Sequence, residues 1–226
     1  MKFTIFFSEQ IICKYIKIGY IKDIERGEFM SYIDTLKKRR SVYNLNNTLS
    51  ISEDTLINNI EQILLESPTA FHMQSPYILI LMNKEHEKLW NITTNILKQR
   101  VPIDKFKSTQ NKMDMFTKAK GTILFFDNTD IIEQLKKDYP LYKDSFDTHA
   151  AHGMGILQAN VWNYLAEENI GANLQHYNPL IDDEVKKEWN IPTPYQLTAQ
   201  LVFGGIEEVP EPKDKVPGSL RMNIYK

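Results

Sequence analysis

Asn169-Ile170-Gly171-Ala172-Asn173-Leu174-Gln175-His176-Tyr177-Asn178-Pro179-Leu180-Ile181 stands directly after the longest helical pattern in the chain. That pattern runs from Phe146 to Asn169. Met154, Leu157, Val161 and Leu165 mark one apolar stripe, and Ile156, Ala159 and Trp162 mark a second. A surface helix needs one stripe, so two predict a central helix covered on both faces, one of them a candidate subunit interface. Gly171 reads as its C-cap, and Leu174-Gln175-His176 as a tight segment beyond it.

Working outward, Gly121-Thr122-Ile123-Leu124-Phe125-Phe126 and Tyr77-Ile78-Leu79-Ile80-Leu81-Met82 are apolar runs of strand length, as buried strands require. Asp127-Asn128 ends the first. Tyr195 to Phe203 reads as a third strand, followed by Gly204-Gly205, and Leu220 to Tyr225 as a final edge strand. Helical patterns cover Ser31 to Arg40, with Ser31 as N-cap and Asp34 as its partner, and Ser52 to Glu66, with Leu56, Ile60, Ile63 and Leu64 on one face. Further helices are expected over Glu85 to Gln99, Thr109 to Lys118 with Met113 and Phe116 inward, Asp130 to Lys137 and Asp182 to Trp189. Without repeats or linkers, this is one α+β domain with a central mixed sheet and six or seven flanking helices.

The 226 residues suffice for one sizeable core. A net charge of −2 offers no basic excess for a polyphosphate, so nucleic acid is not an expected partner. No apolar run reaches membrane-spanning length, so no membrane role is expected. Cys13 is the single cysteine. It excludes an intrachain disulfide and a cysteine-cluster zinc site, and fits a cytoplasmic location.

Residues 1–29 read as a non-native or disordered N-terminal extension, with one domain over 30–226. They hold neither a secretory signal nor a clean helical period. Glu25-Arg26-Gly27-Glu28 is encodable by a purine-rich stretch like a bacterial ribosome-binding site, placed just before Met30. Met30 is therefore the expected start. A peptide from residues 2–24 in the protein from its native host would refute this.

Three segments in order resemble the FMN-dependent nitroreductase family. Lys37-Lys38-Arg39-Arg40-Ser41-Val42-Tyr43 resembles the Arg-Arg-Ser segment after the family's first helix. Ser67-Pro68-Thr69-Ala70-Phe71-His72-Met73-Gln74-Ser75 resembles its Ala/Ser-Pro-Ser-x-x-Asn-x-Gln loop, and Lys213-Asp214-Lys215 its terminal Lys-x-Arg. Gly121 to Asp127, His152-Gly153-Met154 and the Leu174 to Pro179 string resemble the small subgroup of fatty-acid-repression and stress-induced nitroreductases. The resemblance spans Met30 to Lys226.

It implies a nitroreductase-like fold whose dimer interface is built by long central helices, with FMN lined by both chains of a homodimer. It implies a ping-pong cycle in which NADH or NADPH, as a transient donor, gives hydride to flavin N5 and a nitroaromatic or quinone-like substrate is then reduced. Arg39, Ser41 and Arg40 would meet the FMN phosphate, for which guanidinium forks and a hydroxyl are suited donors. Tyr43 replaces a usual base, so Lys213, Lys215 and Arg221 would supply further positive charge. Gln74, and His72 in place of the usual Asn, would face the flavin ring. Leu174, Gln175 and His176 would lie beside it; a polar network at the dimer seam is the other reading for Gln175 and His176. Phe146, Trp162 and Phe71 are aromatic candidates for a substrate wall, with core packing the alternative for Trp162.

Rival chemistries are weaker. His149-x-x-His152 puts two imidazoles on one helical face without a supporting carboxylate or cysteine pattern. Gly-x-Ser-x-Gly, P-loop and Rossmann fingerprints are missing. No side chain is required as a nucleophile, so no catalytic residue is singled out. A flavin-binding redox sensor in stress or lipid response, with little turnover, is the alternative function.

Overall fold

The computed structural model describes residues 31–226; the expectation about residues 1–29 falls outside them. The chain divides into two compact units between Lys37 and Lys38. Helix α1 spans Tyr32–Lys38. Its first turn is capped as the sequence implies: the Ser31 hydroxyl donates to Asp34 Oδ2 at 2.7 Å and accepts from the Asp34 N–H at 3.2 Å.

From Lys38 onward the elements run β1 (Leu45–Asn46), α2 (Glu53–Glu66), β2 (Pro76–Met82), α3 (Lys84–Lys98), α4 (Phe106–Thr117), β3 (Gly121–Asn128), α5 (Thr129–Asp138), α6 (Phe146–Glu167), β4 (Ile170–Gln175), α7 (Asp182–Glu188) and β5 (Tyr195–Ile206). Among the described residues this makes seven α-helices and a five-stranded sheet, with short 3-10 turns between them. β5 is the hub. β3 pairs with it over Tyr195 to Phe203, β4 over Gln200 to Gly205 and β1 over Gly205 to Ile206, and β2 extends the sheet beyond β3.

Every ladder is antiparallel, and the parallel pairing of the expected mixed sheet is reduced to one isolated bridge, Ser41 to Ala172. Connectivity explains this for β2 and β3. Two helices, α3 and α4, carry the chain out and back, so β3 starts at the end of the sheet where β2 finished.

β3 is buried on both faces, and strand alternation divides its side chains between two cores. Leu124 and Phe126 join Trp90, Phe116 and Val202 on one side, under α3 and α4. Ile123 and Phe125 join Leu56, Ile60, Met154, Leu157, Val161 and Leu165 on the other, under α2 and α6. The first core also holds His86, fully buried between α3 and β3. Its Nδ1 lies 2.9 Å from the Thr122 hydroxyl and its Nε2 2.9 Å from the Phe116 carbonyl. Burial drives the imidazole pKa down to about 4.

Three expectations are corrected. Gly171 lies in β4, not at a helix cap; Asn169, at φ 59°, makes the left-handed turn between α6 and the strand. Leu220 to Tyr225 forms no strand, because the exposed tail runs against no sheet edge; only a 3-10 turn at Gly218–Leu220 is present. Tyr77 to Met82, expected as a buried strand, is the edge strand β2, with Tyr77 exposed and only Leu81 buried, because it has one neighbour, β3, and not two. Within the single chain the second stripe of α6 is open, as a subunit interface would leave it: Ile156 is 41% exposed and Ala151, Gly155 and Ala159 are exposed beside it.

Candidate active site

The Arg39–Val42 segment runs beside β4. Ser41 bridges to Ala172, and the Val42 N–H donates to the Ala172 carbonyl at 2.9 Å. Gly171 permits this approach, since a Cβ there would lie 2.6 Å from Leu45 Cδ2 and 3.2 Å from Val42 Cβ. Asn173, fully buried, donates from Nδ2 to the Val42 carbonyl at 2.8 Å, and its Oδ1 accepts from Gln175 Nε2 at 2.8 Å. Arg39 to Ser41 are thus brought to Leu174 and Gln175 by a relay of amides. A buried polar group is tolerated when its bonds are made, and this relay makes them.

Arg39 is half-buried, with its guanidinium carbon 4.6 Å from the centroid of the Trp162 ring on α6. Among the described residues no carboxylate or carbonyl accepts from that guanidinium. Burial, and after it the charge of Arg40, hold its pKa below the usual guanidinium value. Arg40 donates from Nη2 to the Glu211 carbonyl at 2.8 Å, fixing the start of the C-terminal tail. Two adjacent cations, one partly desolvated and lacking an acid, form a site whose electrostatics call for an anion. Two planar forks and a hydroxyl match the oxygens of a phosphate.

The other predicted cations stand apart. Lys213, Lys215 and Arg221 lie on the exposed tail, and none makes a side-chain bond among the described residues. Among the described residues Arg221 is held by its backbone N–H to the Gly218 carbonyl. His176 is exposed just past β4, and Leu174 is half-buried against the second core.

Residues 67–74 form the second half of the site. Phe71, His72 and Gln74 have φ of 54°, 52° and 48°. Three non-glycine residues in the left-handed region within four positions is a strained loop, and such strain persists only where the surroundings impose it. Asn160 of α6 donates to the Ser67 hydroxyl at 3.0 Å, and the Gln74 N–H donates to the Thr69 hydroxyl at 3.1 Å. Gly153 lets Thr69 close on α6; a Cβ there would meet the threonine methyl at 3.2 Å. Phe71 leans on Tyr139, Tyr142, Phe146 and His149, with ring centroids 5.0 to 6.4 Å away. Below the loop, burial raises the pKa of Asp127 while the nearby Ser75 hydroxyl pulls it down. A cavity of about 340 Å³ lies between the loop and α6, lined by Thr69, His72, Gln74, Gly153 and Leu157 among others.

Of the wall candidates, Phe71 is 47% exposed, Phe146 is fully buried, and Trp162 lies under Arg39. Phe146 is therefore core, filling the space between α5, α6 and Met73. Sequence reasoning missed Asn173 and Asn160. The signal for Asn173 was its spacing of two from Gln175, which puts both on one face of a strand once β4 is recognised. The string beyond β4 is largely structural: Gln200 of β5, fully buried, accepts from the Tyr177 N–H at 2.7 Å and donates to Asn178 Oδ1 at 3.2 Å.

Among the described residues, no three His, Cys, Asp or Glu side chains gather as metal ligands, and no helix is long and apolar enough to cross a membrane. Residues 36–205 match the family model described as Nitroreductase family. The chain is 29% identical to nitroreductase FRM2 of Saccharomyces cerevisiae over 197 residues, 86% of this chain and 97% of the relative. It is 32% identical to a putative nitroreductase, HBN1, of the same yeast over 176 residues, 77% and 87% of the two chains. Among solved structures, nitroreductase CinD from Lactococcus lactis in complex with chloramphenicol is 40% identical with a TM-score of 0.80, covering 87% of this chain and 100% of that one. The same protein is known in complex with nicotinic acid and with 4-nitrophenol.

Proposed function

The chain belongs to the nitroreductase family, and from that premise we propose that it is an FMN-dependent oxidoreductase moving electrons from NADH or NADPH to nitroaromatic or quinone-like molecules. The observation that carries this reading is Arg39, a half-buried cation beside a second cation, with no acid to pair it among the described residues. Such a group is costly unless an anion completes it. Arg39, Arg40 and Ser41 would hold the FMN phosphate, and Lys213, Lys215 and Arg221 would close on it from the tail that Arg40 anchors. His72 and Gln74 would meet the ring from the strained loop, and Leu174, Gln175 and His176 would edge it from β4. FMN, when bound, supplies hydride chemistry at N5, alternating between a reduced nicotinamide and the oxidised substrate.

The side chains around it orient and exclude water rather than attack. The strained loop holds the backbone of His72 and Gln74 toward the cavity, and Phe71 with its aromatic neighbours gives an apolar flank. Chloramphenicol and 4-nitrophenol, held by the Lactococcus relative, both carry a nitro group on an aromatic ring, and nicotinic acid shares the pyridine ring of nicotinamide; all three support the substrate assignment. Within one chain no hydrogen bond, ion pair or ring contact among the described residues joins the Arg39 group to the loop, which supports a homodimer whose two sites each draw on both subunits. The lone Cys13 supports a cytoplasmic location.

The visible spectrum of the purified protein, before and after anaerobic NADH or NADPH, tests the proposal. A flavin band that bleaches and returns with 4-nitrophenol or a quinone is expected. Bleaching with negligible turnover would favour the sensor, and a colourless protein that takes up no added FMN would refute both.

A further inference from the structure

We propose that Trp162 is the positioning residue that makes the site selective for a phosphorylated flavin, by presenting its indole face to the Arg39 guanidinium. The proposal rests on the flavin reading above and concerns a residue outside the set first assigned to the cofactor.

The geometry is that of a shelf. The Arg39 guanidinium carbon sits 4.6 Å from the Trp162 ring centroid, and the indole is itself braced against the core that α6 shares with β3, β4 and β5. Tryptophan offers the strongest face for a cation among the aromatic side chains. What the face does not offer matters as much. An aspartate or glutamate at this position would pair with Arg39 and compete with an incoming phosphate. The indole attracts the cation without accepting any of its hydrogen bonds, so all five guanidinium N–H groups remain available.

Two opposing forces make the shelf necessary. Arg40 lies close enough to repel Arg39, and burial disfavours the Arg39 charge. An arginine with no anchor would leave the site for solvent, and the phosphate would have to recapture a mobile side chain at an entropic cost. Stacking on Trp162 offsets the repulsion and fixes the plane of the fork before the anion arrives. Arg40 is held separately, through the Glu211 carbonyl. Arg39 thus keeps all its donors for an anion, and Arg40 gives one to the Glu211 carbonyl and keeps the rest. The riboflavin portion, which carries no charge, gains nothing from either.

The test is a comparison of FMN with riboflavin, which lacks the phosphate, by titration of the apoprotein with flavin-fluorescence or calorimetric readout. Trp162→Leu is expected to raise the dissociation constant for FMN about tenfold, within the range of a partly desolvated cation–π contact, and to leave that for riboflavin unchanged. Trp162→Phe should restore most of the difference. In an Arg39→Ala background, Trp162→Leu should have no further effect, because the indole acts only through the arginine. Equal weakening of both flavins, or an undiminished effect in the Arg39→Ala background, would overturn the proposal. If Trp162→Leu does not fold, Arg39→Lys reads the same contact from the other partner: the charge stays, the planar stacking is lost, and FMN alone should weaken. A wild-type protein that binds neither flavin would remove the functional reading and the shelf with it. Wild-type binding of FMN with an unaltered FMN-to-riboflavin ratio in the variants would remove the shelf alone.

Discussion

Replacing Asn173 with leucine isolates the amide relay. The two side chains share one branched heavy-atom skeleton, so no cavity forms, and the bulkier methyls add strain to the lost polar terms. The substitution removes the bond from Asn173 Nδ2 to the Val42 carbonyl and the bond from Gln175 Nε2 to Asn173 Oδ1, both 2.8 Å and both buried. The Gln175 amide is left without its acceptor and the Val42 carbonyl loses a donor. Each orphaned group costs roughly 1–3 kcal/mol, so the loss should be about 3 kcal/mol. Urea unfolding of the apoprotein should show this as a midpoint lower by about 1 M. The double variant Asn173→Leu/Gln175→Leu removes one of the orphans as well, and should cost about 1 kcal/mol less than the sum of the single losses. A loss below about 0.5 kcal/mol would refute the reasoning, because it would mean water replaces the amide at no cost. So would strict additivity, which would mean the two amides do not interact.

Three further outcomes follow from other parts of the fold. The buried His86 has its pKa pushed from 6.5 down to about 4, so the unfolded chain takes up the proton first as pH falls. Stability should be flat above about pH 7, decline by up to roughly 3 kcal/mol between the two pKa values and level off below the lower one; urea titrations of wild type and His86→Gln should diverge in that window, and parallel curves would refute the assignment. Gly204→Ala would drive a methyl into the Asn46 carbonyl oxygen, well inside van der Waals contact, and within 2.9 Å of the Lys120 nitrogen, both backbone atoms; a lowered melting temperature from about 2 kcal/mol of overpacking is expected, and an unchanged one would show that β1 is not held against β5 as described. Gly155 has open space where a Cβ would stand, so Gly155→Glu should leave the folded chain intact while placing a charge on the exposed face of α6; light scattering should report loss of the dimer and titration weaker FMN binding, whereas a variant that remains dimeric would place the interface elsewhere.

How far the sequence could be read depended on whether a feature is local. Gly121 to Phe126 was legible as a strand because a strand buried on both faces is apolar throughout; Tyr77 to Met82 carries the same pattern at the edge of the sheet, where only Leu81 is buried. The cap of Ser31 on α1 was legible because its bonds with the Asp34 side chain and N–H lie within one turn. β4 was not. Asn173 and Gln175 interrupt the apolar pattern, and their burial is justified only by the Val42 carbonyl, more than a hundred residues away. Gly171 looked like a cap for the same reason, since the close packing of Leu45 and Val42 that requires a glycine there is tertiary. In the candidate site, Arg39 and Ser41 could be singled out from a contiguous segment, but the indole on which Arg39 stacks could not. Trp162 sits in an apolar helix stripe, where an indole facing a distant cation and one packed in a core give the same pattern.

The position of that tryptophan also bears on assembly. α6 touches both halves of the candidate site: Trp162 supports Arg39 near its C-terminal end, Asn160 two residues before it holds the start of the loop at Ser67, and Gly153 seats Thr69 further toward the helix start. A helix advances about 1.5 Å per residue, so Trp162 and Gly153 are about 13 Å apart along the axis. A rigid helix between two half-sites cannot bring them together by bending, because its buried stripe of Met154, Leu157, Val161 and Leu165 is fixed to the sheet. In the proposed homodimer a second copy across a two-fold axis would set the Arg39 end of one helix against the loop end of the other. The face on which such a copy would seat is the one left open in the single chain, where Ala151, Gly155 and Ala159 keep the helix surface low around Ile156. Small residues at four-residue spacing allow two helices to approach closely. The proposed assembly would thus cover the second apolar stripe of α6, and an anion would complete Arg39, which has no acid beside it among the described residues.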